Sequence, residues 1–109
     1  MNFNTYQTEA AKTVSENGFD LINAALGLCG ESGEFADLVK KLAYQGHDLD
    51  KEHLKRELGD IMWYMALAAT IIGCDLEDIA ETNIAKLRAR YPKGHFESQN
   101  SKVRKDGDI

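Results

Sequence analysis

Only one proline occurs among the 109 residues, and hydrophobic residues (43%) outnumber charged ones (28%). That balance belongs to a folded soluble domain and argues against a disordered chain. Cations are scarce: 13 Lys and Arg face 18 Asp and Glu, a formal charge of −5. That charge argues against a general nucleic-acid binder, which would normally show a basic face. There are two cysteines, Cys29 and Cys74, each in a largely apolar helical stretch with no secretory signal before it. They are expected to be reduced, buried thiols in a cytoplasmic protein. His47, His53 and His95 are scattered and expected to face solvent, and no Cys/His set has zinc spacing. The longest apolar run, Ile61 to Cys74, is too short to span a bilayer and suits a buried helix. No membrane partner is expected.

What is present is helical periodicity. A first helix is predicted from Thr5 to Glu16, with Asn4 as N-cap and Asn17-Gly18 as its stop. Tyr6, Ala10 and Val14 mark its inner face; Gln7 and Tyr6 are read as core and surface residues within reach of a ligand. A second helix is predicted after Asp20, running to Tyr44 and ending at Gly46. A third begins at Lys51 behind Asp50, with Glu52 suiting the helix dipole. Its second half is apolar almost all round, which predicts a second subunit on the face carrying Trp63 and Leu67. A fourth opens at Asp75 and ends at Tyr91 before Pro92. The fold expected is all-α: a four-helix bundle-like domain over residues 1–96 with an antiparallel central hairpin, completed by oligomerisation. Residues 97–109 are expected to form a polar, mobile tail.

Two carboxylate pairs stand out, Glu31/Glu34 and Glu57/Asp60. Residues three apart lie on one helix face. The apolar stripe of the second helix reads Leu21, Ala25, Leu28, Ser32, Phe35, Val39, Leu42; that of the third reads Leu54, Leu58, Ile61, Met65, Ala68, Ile72. Each acid flanks its stripe on the same rotational side, and the short linker from Tyr44 to Asp50 favours antiparallel neighbours. All four acids are therefore predicted along one edge of the hairpin. Convergent carboxylates repel, and a hard divalent cation such as Mg²⁺ is the counterion that fits oxygen donors. Gly27, Gly30 and Gly33 each cost about 1 kcal/mol inside a helix. Gly27 lies below the first pair, where it would leave room for a ligand; Gly30 and Gly33 suggest close packing or a kink. Tyr64 extends the second acid line and could meet a base or sugar, although a core role is favoured. On the fourth helix Asn83, Lys86 and Arg90 form one polar line whose cations suit phosphate oxygens.

This pattern resembles the MazG-like, all-α nucleoside triphosphate pyrophosphohydrolases, marked by E-x-x-E, a variable spacer, then E-x-x-D. The matching positions are Glu31, Glu34, Glu57 and Asp60. The blocks Gly27–Glu34, Glu57–Tyr64 and Asn83–Pro92, closing with Gly94 and Phe96, resemble the family's three helix signatures. The resemblance implies hydrolysis of an NTP or dNTP to the monophosphate and pyrophosphate by metal-activated water attack at the α-phosphorus. It implies Mg²⁺, with Mn²⁺ as a substitute, on the four acids, and a homodimer or homotetramer. It places Lys86 and Arg90 near the phosphates and Asn83 near metal or phosphate. Glu34 is the first choice as proton acceptor. No residue set fixing the base is recognised. Rival readings are a phosphoribosyl-ATP pyrophosphohydrolase, a non-enzymatic helical interaction module, and a di-iron bundle. The last needs Glu-x-x-His pairs that the sequence does not contain.

Overall fold

A computed structural model describes residues 1–94, and among them there are four α-helices and no strand. His95, Phe96 and the expected tail lie outside the described residues. The helices are α1 (Phe3–Ala11), α2 (Leu21–Tyr44), α3 (Lys51–Ile72) and α4 (Leu76–Arg90), with a 3₁₀ turn at Glu16–Gly18. The chain divides into two compact units, the first ending at Asp75 and the second starting at Leu76. The all-α class expected from the periodicity is the class found.

Helix ends follow local chemistry. Asp20 caps α2 by accepting from the Ile22 amide at 2.8 Å, and Asp50 caps α3 by accepting from the His53 amide at 3.0 Å. Gly73, with φ of 80°, closes α3 in the left-handed conformation that favours glycine. The first helix differs from expectation at both ends. Asn2, not Asn4, is its cap, accepting from the Thr5 amide at 2.8 Å. It stops at Ala11 because the Thr13 amide and hydroxyl both donate to the Ala10 carbonyl, at 3.0 and 2.7 Å. A hydroxyl competing for backbone in this way ends a helix.

α2 and α3 form the antiparallel hairpin. Gly27 meets Tyr64, while Glu31 meets Glu57 and Asp60, so rising numbers on one helix pair with falling numbers on the other. The seam, however, is rotated from the stripes read off the sequence. Leu58 is 51% exposed, whereas the Glu57 side chain is only 16% exposed; Met65, Ile72, Leu21 and Val39 are also exposed. The half-buried line on α3 is Leu54, Glu57, Ile61, Tyr64, and on α2 it is Leu28, Glu31, Phe35, Leu38, Leu42 beyond buried Ala24. Glu31 and Glu57 therefore sit in the seam and not beside it.

The face carrying Trp63 and Leu67 is covered from within the chain, contrary to the expected subunit contact. Ala10, Ala11, Val14 and Phe19 pack there against Trp63, Ala66 and Leu67, which is 3% exposed. Small Ala66 and Ala69 let α1 approach closely. Trp63 Nε1 donates to the Thr13 hydroxyl at 2.8 Å, and Gln7 Nε2 donates to the Cys74 carbonyl at 2.9 Å. The exposed apolar side chains lie elsewhere, including Ile22 (69%) and Leu26 (70%) on α2 and Leu58 and Met62 on α3. Cys29 is exposed and Cys74 half-buried; both are free thiols, and neither is the buried group expected. Among the described residues no single helix is long and apolar enough to cross a membrane.

Candidate metal centre

Each acid pair places one member inward and one outward. Glu31 and Glu57 are half-buried in the seam, while Glu34 and Asp60 are exposed one turn further along. Asp60 nevertheless reaches back. Carboxylate oxygens of Glu31, Glu57 and Asp60 all lie within 4.8 Å of one another. Glu34 stands outside this trio, though its charge acts on both Glu31 and Lys41. The hairpin thus gathers three of the four predicted acids.

The trio has the chemistry of a hard-cation site. Mg²⁺ holds oxygens at about 2.0–2.1 Å, so two donors across the ion stand about 4.2 Å apart. Three donors on one octahedral ion include adjacent pairs only about 2.9 Å apart, so carboxylate rotation has to draw the oxygens inward to close the set. Oxygen-only donors favour Mg²⁺ or Mn²⁺ over softer metals.

Electrostatics agree. The Glu31 carboxyl is held above its usual range, first by desolvation, then by the charges of Asp60, Glu57 and Glu34 and by a side-chain hydrogen bond with Glu57. Between the ordinary glutamate pKa and this raised value, the folded chain keeps a proton that the unfolded chain has released. Through this group, stability falls as pH rises across that interval and is level above it. Metal-free Glu31→Gln should therefore melt above the wild type at neutral pH, the advantage shrinking on acidification. Thermal melts in chelator from about pH 4 to about pH 8 check this, spanning the carboxylate range. A variant that melts lower at neutral pH would show that repulsion does not govern the site.

Two neighbours were underestimated in the sequence. His53 Nε2 lies 3.5 Å from Glu57 Oε1, one helical turn away, so it borders the centre as well as solvent. The i, i+4 spacing is a signal that could have found it. The Tyr6 phenol has a raised pKa, from burial first and the Asp60 charge second, and stays a protonated donor beside the trio. Gly27 offers no room for a ligand: a Cβ there would fall 2.1 Å from Tyr64 Cε1, so the ring already fills the space. Tyr64 also stacks edge-on against Trp63, with centroids 4.9 Å apart. Among the described residues a Cβ added at Gly30 or Gly33 would meet nothing within 4 Å, so neither serves close packing within the chain. Asn83, Lys86 and Arg90 lie along α4 in the second unit, with the Arg90 guanidinium 6.0 Å from the Tyr91 ring centroid.

Comparison with known proteins points to one family. The family model of the MazG nucleotide pyrophosphohydrolase domain matches residues 10–95. The "Gene 37 protein" of Mycobacterium phage L5 is 31% identical over 105 residues, covering 86% of this chain and 92% of the phage protein. No solved structure matches the chain.

Proposed function

Because this chain belongs to the MazG nucleotide pyrophosphohydrolase family, we propose that it hydrolyses an NTP or dNTP to the monophosphate and pyrophosphate with Mg²⁺. The observation that carries the reading is the trio of Glu31, Glu57 and Asp60 within 4.8 Å. Those three carboxylates would hold the cation, and Mn²⁺ would be an acceptable substitute. The bound ion would lower the pKa of a neighbouring water and offset charge on the phosphates. Water oxygen bonds to the α-phosphorus, the α–β bridging bond breaks, and pyrophosphate leaves with the bond's electrons. Glu34, outside the ligand trio and exposed, is available to take the water's proton on a carboxylate oxygen. On the family resemblance alone, Lys86 and Arg90 are the groups assigned to phosphate oxygens and Asn83 the amide assigned to phosphate or metal-site water, while Tyr64 stiffens the seam against Gly27.

The test is a Mg²⁺-dependent survey of canonical and modified NTPs, with phosphoribosyl-ATP included and products separated as pyrophosphate or orthophosphate. Release of orthophosphate, or no release at all, would overturn the reading. Lys86→Ala should raise KM roughly tenfold with little change in kcat, the loss expected for one charge-assisted phosphate contact. Unchanged kinetics would remove Lys86 from the site. A homodimer or homotetramer is expected to bury the exposed Ile22, Leu26, Leu58 and Met62. Leu26→Glu should then reduce the mass measured by light scattering to that of one chain.

A further inference from the structure

At the closed end of the hairpin, between the last turns of α2 and the start of α3, the chain lines a half-open cavity of about 370 Å³. Its shape is fixed by local bonds. Gly46 takes φ of 70°, the His47 amide donates back to the Lys41 carbonyl at 3.3 Å, and Asp50 caps the His53 amide. Half-buried Leu38, Leu42 and Leu54 form an apolar wall, while His47 and His53 add two flat imidazoles and Asp48 a carboxylate. The cavity adjoins the acid centre: His53 lines it and lies 3.5 Å from Glu57. Leu54 is one turn before Glu57, which is about 5–6 Å.

A triphosphate reacting at the acids could send either its leaving phosphates or its nucleoside into this space. Charge decides between them. Lys41 is the cavity's one ammonium, and it is already paired with Asp37 at 2.8 Å. Asp48 and Asp50 add negative charge to the same wall. Two phosphates bearing about three charges would meet no surplus of cations there. A base has apolar faces and polar edges, the match for leucines, imidazoles and a few polar groups in a pocket of about 300 Å³ or more.

We propose that the cavity at the hairpin's closed end is the nucleobase subsite, a deepening that rests on the hydrolytic reading above. Leu38, Leu42 and Leu54 cover one face of the base, and the imidazoles meet its other face or edge. The Asp48 carboxylate accepts from an exocyclic amino group, as carboxylates do with cytosine N4. Amino-bearing bases are therefore favoured over uracil and thymine.

The experiment measures binding by calorimetry with Mg²⁺ present and the full chain. Its probes are cytidine and uridine triphosphates carrying a non-hydrolysable methylene bridge between the α- and β-phosphorus, and inorganic tripolyphosphate. The wild type should bind the cytidine probe at least roughly tenfold more tightly than tripolyphosphate, the scale of one pocket contact. Leu42→Trp, which fills the cavity, should erase that margin and leave tripolyphosphate binding unchanged. Asp48→Asn should bring the cytidine and uridine probes to within about twofold of each other, since the discriminating acceptor is lost. If Leu42→Trp fails to fold by circular dichroism, His47→Ala in the loop carries the test and should weaken the cytidine probe alone. Equal binding of cytidine probe and tripolyphosphate by the wild type, or a margin that survives in the folded variant, overturns the assignment. Wild type that binds the base-bearing probe preferentially yet releases no pyrophosphate from any nucleotide would instead overturn the hydrolytic reading and keep the subsite.

Discussion

Asp60→Asn should lower kcat by roughly 10³-fold, about 4 kcal/mol of barrier, while the helices stay intact. Asp60 is the exposed member of the trio, so the substitution buries nothing new and opens no void. What it removes is one of three oxygen donors and one of three charges. The remaining pair cannot hold a divalent ion as tightly, and calorimetry with Mg²⁺ alone should show the loss independently of turnover. Circular dichroism should be unchanged, and the metal-free protein should melt no lower than the wild type, because one source of repulsion on Glu31 has gone. Near-wild-type pyrophosphate release in Mg²⁺ would remove Asp60 from the metal centre. The trio, and with it the catalytic reading, would then fail.

The second large effect is at Gly27. A methyl group there would sit 2.1 Å from Tyr64 Cε1 and 2.4 Å from two further ring atoms. Carbon atoms in contact prefer about 3.5–4.0 Å. The ring cannot yield cheaply, since it stands in the seam with Trp63 edge-on beside it. Overpacking of this kind costs about 1–3 kcal/mol, and here the overlap belongs at or above the upper end. Alanine returns about 1 kcal/mol of helix propensity. The net expectation for Gly27→Ala is a destabilisation of about 2 kcal/mol, read by urea denaturation. Gly30→Ala provides the contrast: its Cβ would meet nothing within 4 Å, so only the propensity gain remains and stability should rise. Gly27 lies one turn before Glu31, and Tyr64 one turn after Asp60. Pushing the helices apart at that point should therefore weaken Mg²⁺ binding as well. Tyr64→Ala in the Gly27→Ala background should recover part of the loss, a favourable coupling in a double-mutant cycle. Additive effects would mean that the two residues do not touch.

Much of this was legible in the sequence, for physical reasons. Asp20 and Asp50 stood immediately before periodic runs, and both are caps. The short linker favoured antiparallel neighbours, and the i, i+3 acids marked the faces that meet. The rotation of the seam was harder. α3 is apolar almost all round beyond Asp60, so its periodicity does not single out the side that turns to α2. Assigning Leu58 to the core displaced the acids by one residue, although they belonged in the interface itself. The same ambiguity sent a second subunit to Trp63 when α1 already covered it. Thr13 ended α1 early through a side-chain bond that no hydrophobic pattern records. The cavity at the closed end was equally hidden, because it is assembled by a loop and by leucines from two helices that the linker folds together.

Trp63 is the chain's single tryptophan, and it donates to Thr13 where α1 lies over α3. Its fluorescence consequently reports chiefly on that joint, with Tyr64 of the seam edge-on beside it. Lifting α1 away should move the emission toward the red before the hairpin loses helicity, so light alone can separate the two events.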